Sequence, residues 1–250
     1  MPDQKPILSP VAGIPGQVNV TEQQAHPPVV AFSTTNAAAV HGIGQANGHA
    51  VLGVSAKGDG VHGQSEVANM SGVSGINTAG GNGVFGSSSG NAGFFDGNVQ
   101  VNGNITISGD LFLPGADCAE NFDVASNETL TPGTLVALDE SGALRRSDRP
   151  YDRTVAGVIA GAGTHRPAII LDQQQSTSPR AALSLIGKAY CYADATHAPI
   201  VVGDLLTSSA LPGHVMKAED PARSFGAVVG KALRPLRAGT GLIPILIALQ

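Results

Sequence analysis

The sequence predicts an all-β protein, a trimeric β-helix-like repeat stem followed by a duplicated β-barrel or sandwich domain. Three observations carry that prediction. A glycine phrase recurs through the first half of the chain, the residues around it alternate with the period of a strand, and a different regularity repeats at an offset of 70 to 71 residues in the C-terminal part. The three divide the chain into an arm (1–28), a stem (29–113) and a C-terminal domain (114–250).

The arm carries six prolines, Pro2, Pro6, Pro10, Pro15, Pro27 and Pro28. Proline denies the ladder its hydrogen-bond donor and favours extended backbone, so this stretch reads as a tether that docks on a larger particle.

The stem repeats the phrase apolar, any residue, glycine. Its apolar slot is Val40, Val51, Val61, Val73, Val84, Phe95, Val101 and Ile107, and its glycine slot is Gly42, Gly53, Gly63, Gly75, Gly86, Gly97, Gly103 and Gly109. The first glycines are 10 to 12 residues apart and the last three are 6 apart. A fixed period signals stacked supersecondary units. The slot before each glycine holds His, Leu, His, Ser, Phe, Asp, Asn and Ser. Neighbours of opposite character fit a short strand, and the glycine after them fits a bend or a close backbone approach. Residues 99–113 alternate apolar and polar almost throughout and read as the clearest strand of the stem.

One strong apolar residue per repeat does not offset the entropy of ordering a Gly-, Ser-, Asn- and Ala-rich ribbon. Identical chains around a shared axis supply the missing neighbours, each valine slot meeting its own copies, which predicts a parallel homotrimer. A monomeric β-solenoid is the alternative architecture.

After Pro114-Gly115 the composition shifts. Residues 132–136, 142–146 and 155–159 are echoed by 202–206, 213–217 and 225–229, each set reading strand, turn, strand, loop with a proline, strand. The closing Leu242–Leu249 is an apolar strand whose Pro244 places it at an edge or a strand start. Helix is expected only as a short piece around Ser178–Leu185.

The glycine-rich stem, the Val/Asn/Gly/Ile strand and Gly115-Ala-Asp-Cys-Ala-Glu-Asn-Phe-Asp123 together resemble phage tail-fibre and neck-appendage proteins, with a C-terminal domain of the peptidase G2 type. The resemblance covers roughly 95–250 and implies an intramolecular chaperone that helps a trimer assemble and in some members cuts itself off. It places a self-cleavage junction at Asp117, Cys118 and Glu120. Ala116 stands where the family pattern has a hydroxyl residue, and Cys118 replaces an aromatic. The acids Asp117 and Glu120 beside Cys118 are expected to suppress its thiolate.

Composition excludes several classes. Aromatics are 4%, Trp is absent and Gly numbers 33, a poor basis for one deep core. A net charge of −5 offers no basic stripe, so nucleic acid is not an expected partner. Cys118 and Cys191 lie far apart with no metal-ligand spacing, and neither a disulfide nor a zinc site is expected. Met1–Lys5 opens no signal peptide and no stretch reaches 18 apolar residues, so the expectation is a chain without a membrane span, made in the cytoplasm and ending in a virion or extracellular particle.

Gly86-Ser-Ser-Ser-Gly90 and Gly81-Asn-Gly-Val-Phe-Gly86 match hydrolase and dinucleotide patterns, but both are by-products of the repeat with no helix after them. His41 and His62 share the slot before glycine, where a trimer would form imidazole rings; the mixed company of that slot points it outward, so no metal is expected. Asp59, Glu66, Asp96 and Asp110 are scattered singly, not paired as sugar cleavage requires. The sequence therefore reads as a non-enzymatic fibre with no catalytic residue and no cofactor. Its partners are its own copies, a larger particle through the arm, and a cell-surface glycan or protein at the C-terminal domain. The alternatives are a self-processing chaperone and a polysaccharide-degrading fibre.

Overall fold

The computed structural model describes Ser33 and residues 38–43, 48–126 and 128–248, so the proline-rich arm lies outside the described residues. The chain divides into two units, Met1–Gln100 and Val101–Gln250. Among the described residues all strands lie in the second: β1 (Asp117–Asp123), β2 (Leu135–Leu138), β3 (Leu144–Arg146), β4 (Val155–Ile159), β5 (Pro167–Leu171), β6 (Arg180–Asp194), β7 (Leu205–Ser208), β8 (Val215–Lys217), β9 (Val228–Ala232) and β10 (Thr240–Ile247). Among the described residues the only helix is one turn, α1 (Pro221–Ser224), capped by the Asp220 carboxylate, which accepts from Ala222 N.

The duplication read from the sequence is present as two rings of like connectivity built on one long strand. In the C-terminal ring β6 pairs β10, β10 pairs β9, β9 pairs β7 and β7 pairs β8, all antiparallel. The parallel contact Ala193–Val215 between β6 and β8 closes it into a five-stranded barrel. The other ring runs β1, β6, β4, β2, β3 and is completed at the equivalent place by a parallel bridge, Val124–Leu144. Closing a sheet removes its open edges, which is how short strands with few aromatics form a stable domain.

Register makes the equivalence residue by residue. Val136 faces Arg146 as Leu206 faces Lys217, and Leu138 faces Leu144 as Ser208 faces Val215. A bulge between Val136 and Ala137 in the β2–β4 pair recurs between Leu206 and Thr207 in the β7–β9 pair. Val136 opposes Gly157 and Leu206 opposes Gly230, so the third strands correspond at an offset of 73 residues. The sequence alignment of 155–159 with 225–229 is thus corrected to 228–232. The turn between β7 and β8 adds one residue and the loop holding α1 adds two.

The two glycines meet the same constraint. A Cβ at Gly157, which has φ +146°, would lie 2.7 Å from Ser184 O on β6. One at Gly230 would strike Leu246 O on β10. Only glycine lets the bulged strand lie this close to its neighbour.

Each ring has its own core. Val136, Leu144, Ala156, Ile159 and Leu183 fill the first. Ala189, Cys191 and Ala193 of β6 point into the second with Leu206, Val215, Val229, Ile243, Ile245 and Ile247. Small residues on β6 facing branched residues on β10 fill a narrow barrel without Trp. Several buried polar groups are paired: the Asp194 carboxylate accepts the hydroxyls of Ser209 and Thr196, each at 2.6 Å, and Thr207 Oγ1 donates to Ala227 O at 2.8 Å.

Four expectations are decided by the structure. The choice between barrel and sandwich falls to the barrel. Ser178–Leu185 is not a helix, since Arg180 onward is β6. Leu and Ala favour a helix intrinsically, but pairing with β1 and β4 overrides propensity. Pro244 lies within β10 rather than at its start. Its carbonyl accepts from Leu233 N at 3.0 Å, so its missing N–H faces the side where the β9 ladder, which begins at Ile245, has ended.

The fourth concerns the stem. No strand is found in the described residues 38–116, including 99–113. Alternation marks a segment able to join a sheet, but a ladder needs a second strand, and none of the ladders among the described residues includes that segment.

Candidate self-association surface and strand junction

In the first unit the repeat is a series of pinched loops. A Cβ at Gly42 would lie 2.8 Å from both Ala50 O and the Val51 Cγ2. Gly53 meets Gly60 and Val61 in the same way, Gly63 meets Gly72 and Val73, and Gly75 meets Gly83 and Val84. Each of these four glycines therefore lies under the valine of the next phrase, with about one repeat of chain looped out between them. The partner position is small too: a Cβ on Gly72 or Gly83 would lie 2.6 or 2.8 Å from the carbonyl of Gly63 or Gly75. The sequence reading missed this second slot, although Ala50, Gly60, Gly72 and Gly83 stand directly before the phrase valines.

Side chains turn the loop tips. Asn77 Oδ1 accepts from Ala79 N at 2.8 Å and Gly81 N at 3.2 Å, and Ser55 Oγ accepts from Gly58 N at 2.9 Å. The later glycines differ: Gly86 meets Ala92 O at 2.7 Å, Gly97 has φ +141°, and the Cβ positions of Gly97, Gly103 and Gly109 have open space around them.

The apolar slots face outward. Val40, Val51, Val61, Val73, Val84 and Phe95 are 69–77% exposed, and Val101 and Ile107 are 47% and 49% exposed. The slot before glycine is exposed as well, including Leu52 and Phe85, so one chain gives neither slot an interior. His62 Nδ1 lies 3.3 Å from Asp59 Oδ2, both exposed, and His41 is exposed too.

At the start of the barrel domain the chain crosses β5, where a Cβ on Gly115 would strike Ala168 and Pro167. Ala116 N donates to Arg166 O at 2.8 Å and Lys188 N donates to Ala116 O at 3.0 Å, so the peptide before Asp117 is held from both sides. Asp117 is buried and accepts the Ser184 hydroxyl. Strand alternation turns Cys118 and Glu120 away from it, and both are half-exposed. The structure thus joins Asp117 to Ser184 and does not join it to Cys118 or Glu120. Cys191 lies in the barrel core, and burial pushes its thiol well above the ordinary range.

A second concave site lies within the barrel domain, lined by Thr131, Thr134, Arg146, Tyr192, His214 and Thr240 among others. The sequence reading did not single these out, yet its own alignment of 132–136 with 202–206 and of 142–146 with 213–217 sets Thr134 opposite Asp204 and Arg146 opposite Lys217.

No family model matches the chain, and no curated protein matches it. Among solved structures it is similar to the pre-mature gene product 12 of bacteriophage phi29, at 13% identity and TM-score 0.44, over 59% of this chain and 24% of that one. It is also similar to a C-terminal fragment of the same gene product, at 14% identity and TM-score 0.36, over 53% of this chain and 100% of that one. A third similarity is to the N base of the phi29 head fiber gp8.5, at 17% identity and TM-score 0.25, over 53% and 90%. The chain thus spans about a quarter of the pre-mature gene product. Among the described residues no helix is long and apolar enough to cross a membrane.

Proposed function

We propose that this chain is the subunit of a homotrimeric, non-enzymatic fibre of a phage or phage-like particle, with an arm that docks on the particle, a repeat stem and a barrel domain that ends the stem. The observation that carries the reading is the stem's row of outward valines, repeated at a fixed period and pinned in place by glycines beneath them. A row of large apolar side chains at equal spacing is costly in water and becomes favourable when copies of the same row meet around an axis. The open side of β5, with Ile169, Ile170 and Leu171 exposed, supports association as well, because an apolar edge strand invites a partner.

Native mass spectrometry of the full chain, with a denatured intact mass of the same sample, tests this. The expected result is a complex of three uncut 25.1-kDa chains. A monomer would sink it. The same measurement addresses a second reading, a self-processing chaperone domain resembling the peptidase G2 type, in which water hydrolyses the peptide bond before Asp117. The buried Asp117 carboxylate with the Ser184 hydroxyl on it favours this reading, and a trimer of chains cut there would establish it.

A further inference from the structure

The duplication lets one half of the barrel domain serve as a control for the other. In the C-terminal module Lys217 at the end of β8 faces Asp204, Nζ to Oδ2 at 3.3 Å, so its charge is neutralised within the chain. The register that matches β2–β3 to β7–β8 puts Arg146 in the place of Lys217. The place of Asp204 is held by Thr134, which has no charge to offer. The Arg146 guanidinium donates from Nη2 to Thr129 O at 2.9 Å and has no carboxylate partner among the described residues. A cation kept at a position where its duplicate is internally paired is available to a partner from outside.

What surrounds Arg146 defines that partner. The groove contains no acidic residue. Gly213 packs on the arginine stem, a Cβ there lying 3.3 Å from Cγ and 3.4 Å from Cδ, so the side chain is held in one course across the groove. The rings of Tyr192 and His214 lie 5.6 Å apart in the lining. His214 Nδ1 is 2.8 Å from Pro212 O, a pure acceptor, so Nδ1 carries the proton and Nε2 is the acceptor of the neutral ring. Thr131 Oγ1 and Thr134 Oγ1 lie 3.2 Å apart, one donating to the other, with Thr131 exposed at the rim and Thr134 buried. A fixed guanidinium is suited to bidentate contact with a carboxylate, hydroxyls and an imidazole acceptor to sugar hydroxyls, and a tyrosine ring to the apolar face of a pyranose.

We propose that this groove binds a carboxylate-bearing saccharide, its carboxylate on Arg146 and its ring against Tyr192. The site lies wholly within the barrel domain and does not depend on how copies of the chain assemble. Isothermal titration calorimetry of the full chain with trigalacturonic acid, with neutral maltotriose and with inorganic phosphate tests it. Trigalacturonic acid is expected to bind and maltotriose not to. Arg146→Gln is expected to weaken binding by about tenfold or more, the loss of a charged hydrogen-bonded pair. Thr134→Asp, which copies the Asp204–Lys217 pair into the first module, is expected to weaken it similarly without lowering the unfolding midpoint. Absence of trigalacturonic acid binding, or undiminished binding by Arg146→Gln, would overturn the proposal. Phosphate binding as tightly as trigalacturonic acid would overturn the saccharide assignment, reducing the groove to a bare anion site. Should Thr134→Asp fail to fold, the surface change Arg146→Gln still decides.

Discussion

Gly157 and Gly230 show how a single missing Cβ shapes this domain. Each sits at a bulge opposite equivalent residues of β2 and β7, and each lies against a carbonyl of the next strand. Gly230→Ala is expected to destabilise the domain by about 2–3 kcal/mol, since the new methyl strikes backbone and the ladder to β10 must open. Gly103→Ala, with open space at its Cβ, is the control and is expected to be neutral in the same urea titration. Charge acts at this scale too. Burial raises the Asp152 pKa, but the Thr154 N–H and hydroxyl and the Arg145 guanidinium at 2.7 Å outweigh it and hold the carboxyl below its usual value. Asp194, which accepts the Ser209 and Thr196 hydroxyls and the Thr196 N–H, is likewise lowered against its burial. A carboxylate depressed in the folded state stabilises fully above the unfolded value of about 3.9 and loses that contribution as pH falls through the folded value. Unfolding midpoints are therefore expected to hold from pH 7 to about 5 and to drop below about 4, and Asp152→Asn is expected to shallow that drop.

Among the elements, β6 does the most. Its first half pairs β1 and β4 in one ring and its second half pairs β10 and touches β8 in the other. Cys191 lies in that second half, wholly buried and with its thiol pushed up by burial, so it is expected to resist a thiol reagent in the native chain and react only on unfolding. Fast labelling of Cys191 under native conditions, read by peptide mass, would show that β10 leaves β6 readily. In the stem the element is the pinched loop. Gly63→Val is expected to impair assembly far more than His62→Val, because Gly63 lies against the Gly72 backbone while His62 is exposed, its Nδ1 beside the exposed Asp59 carboxylate. Equal loss of assembly by size-exclusion chromatography would overturn that assignment of the two slots.

For the whole molecule, the shared strand couples the two rings. Loss of β6 opens both, so the barrel domain is expected to unfold in one transition, with Gly157→Ala and Gly230→Ala each lowering the same midpoint. Two resolved transitions in calorimetry would mean that the rings are separate folding units. The stem stands differently, because its apolar residues are exposed along one chain, and in the proposed fibre association would supply the core that it lacks.

The sequence by itself determined the periodicities: the Val-x-Gly phrase, its glycines and the duplication of β2–β3 in β7–β8 were all legible, since local spacing records them. It did not determine which partners those elements take. Ser178–Leu185 carries helix-forming residues and becomes a strand because β1 and β4 pair with it, and residues 99–113 carry a strand pattern yet form no ladder within one chain. The 73-residue correspondence of β4 with β9 emerged only from their bulged pairing, which the three added loop residues hide from a constant offset. The groove at Arg146 was half legible, its residues aligned but their meaning set by the Asp204–Lys217 contact across space. Strand pairing and charge pairing are long-range in sequence, and tertiary structure decides them because each depends on groups brought together only by the closed sheet.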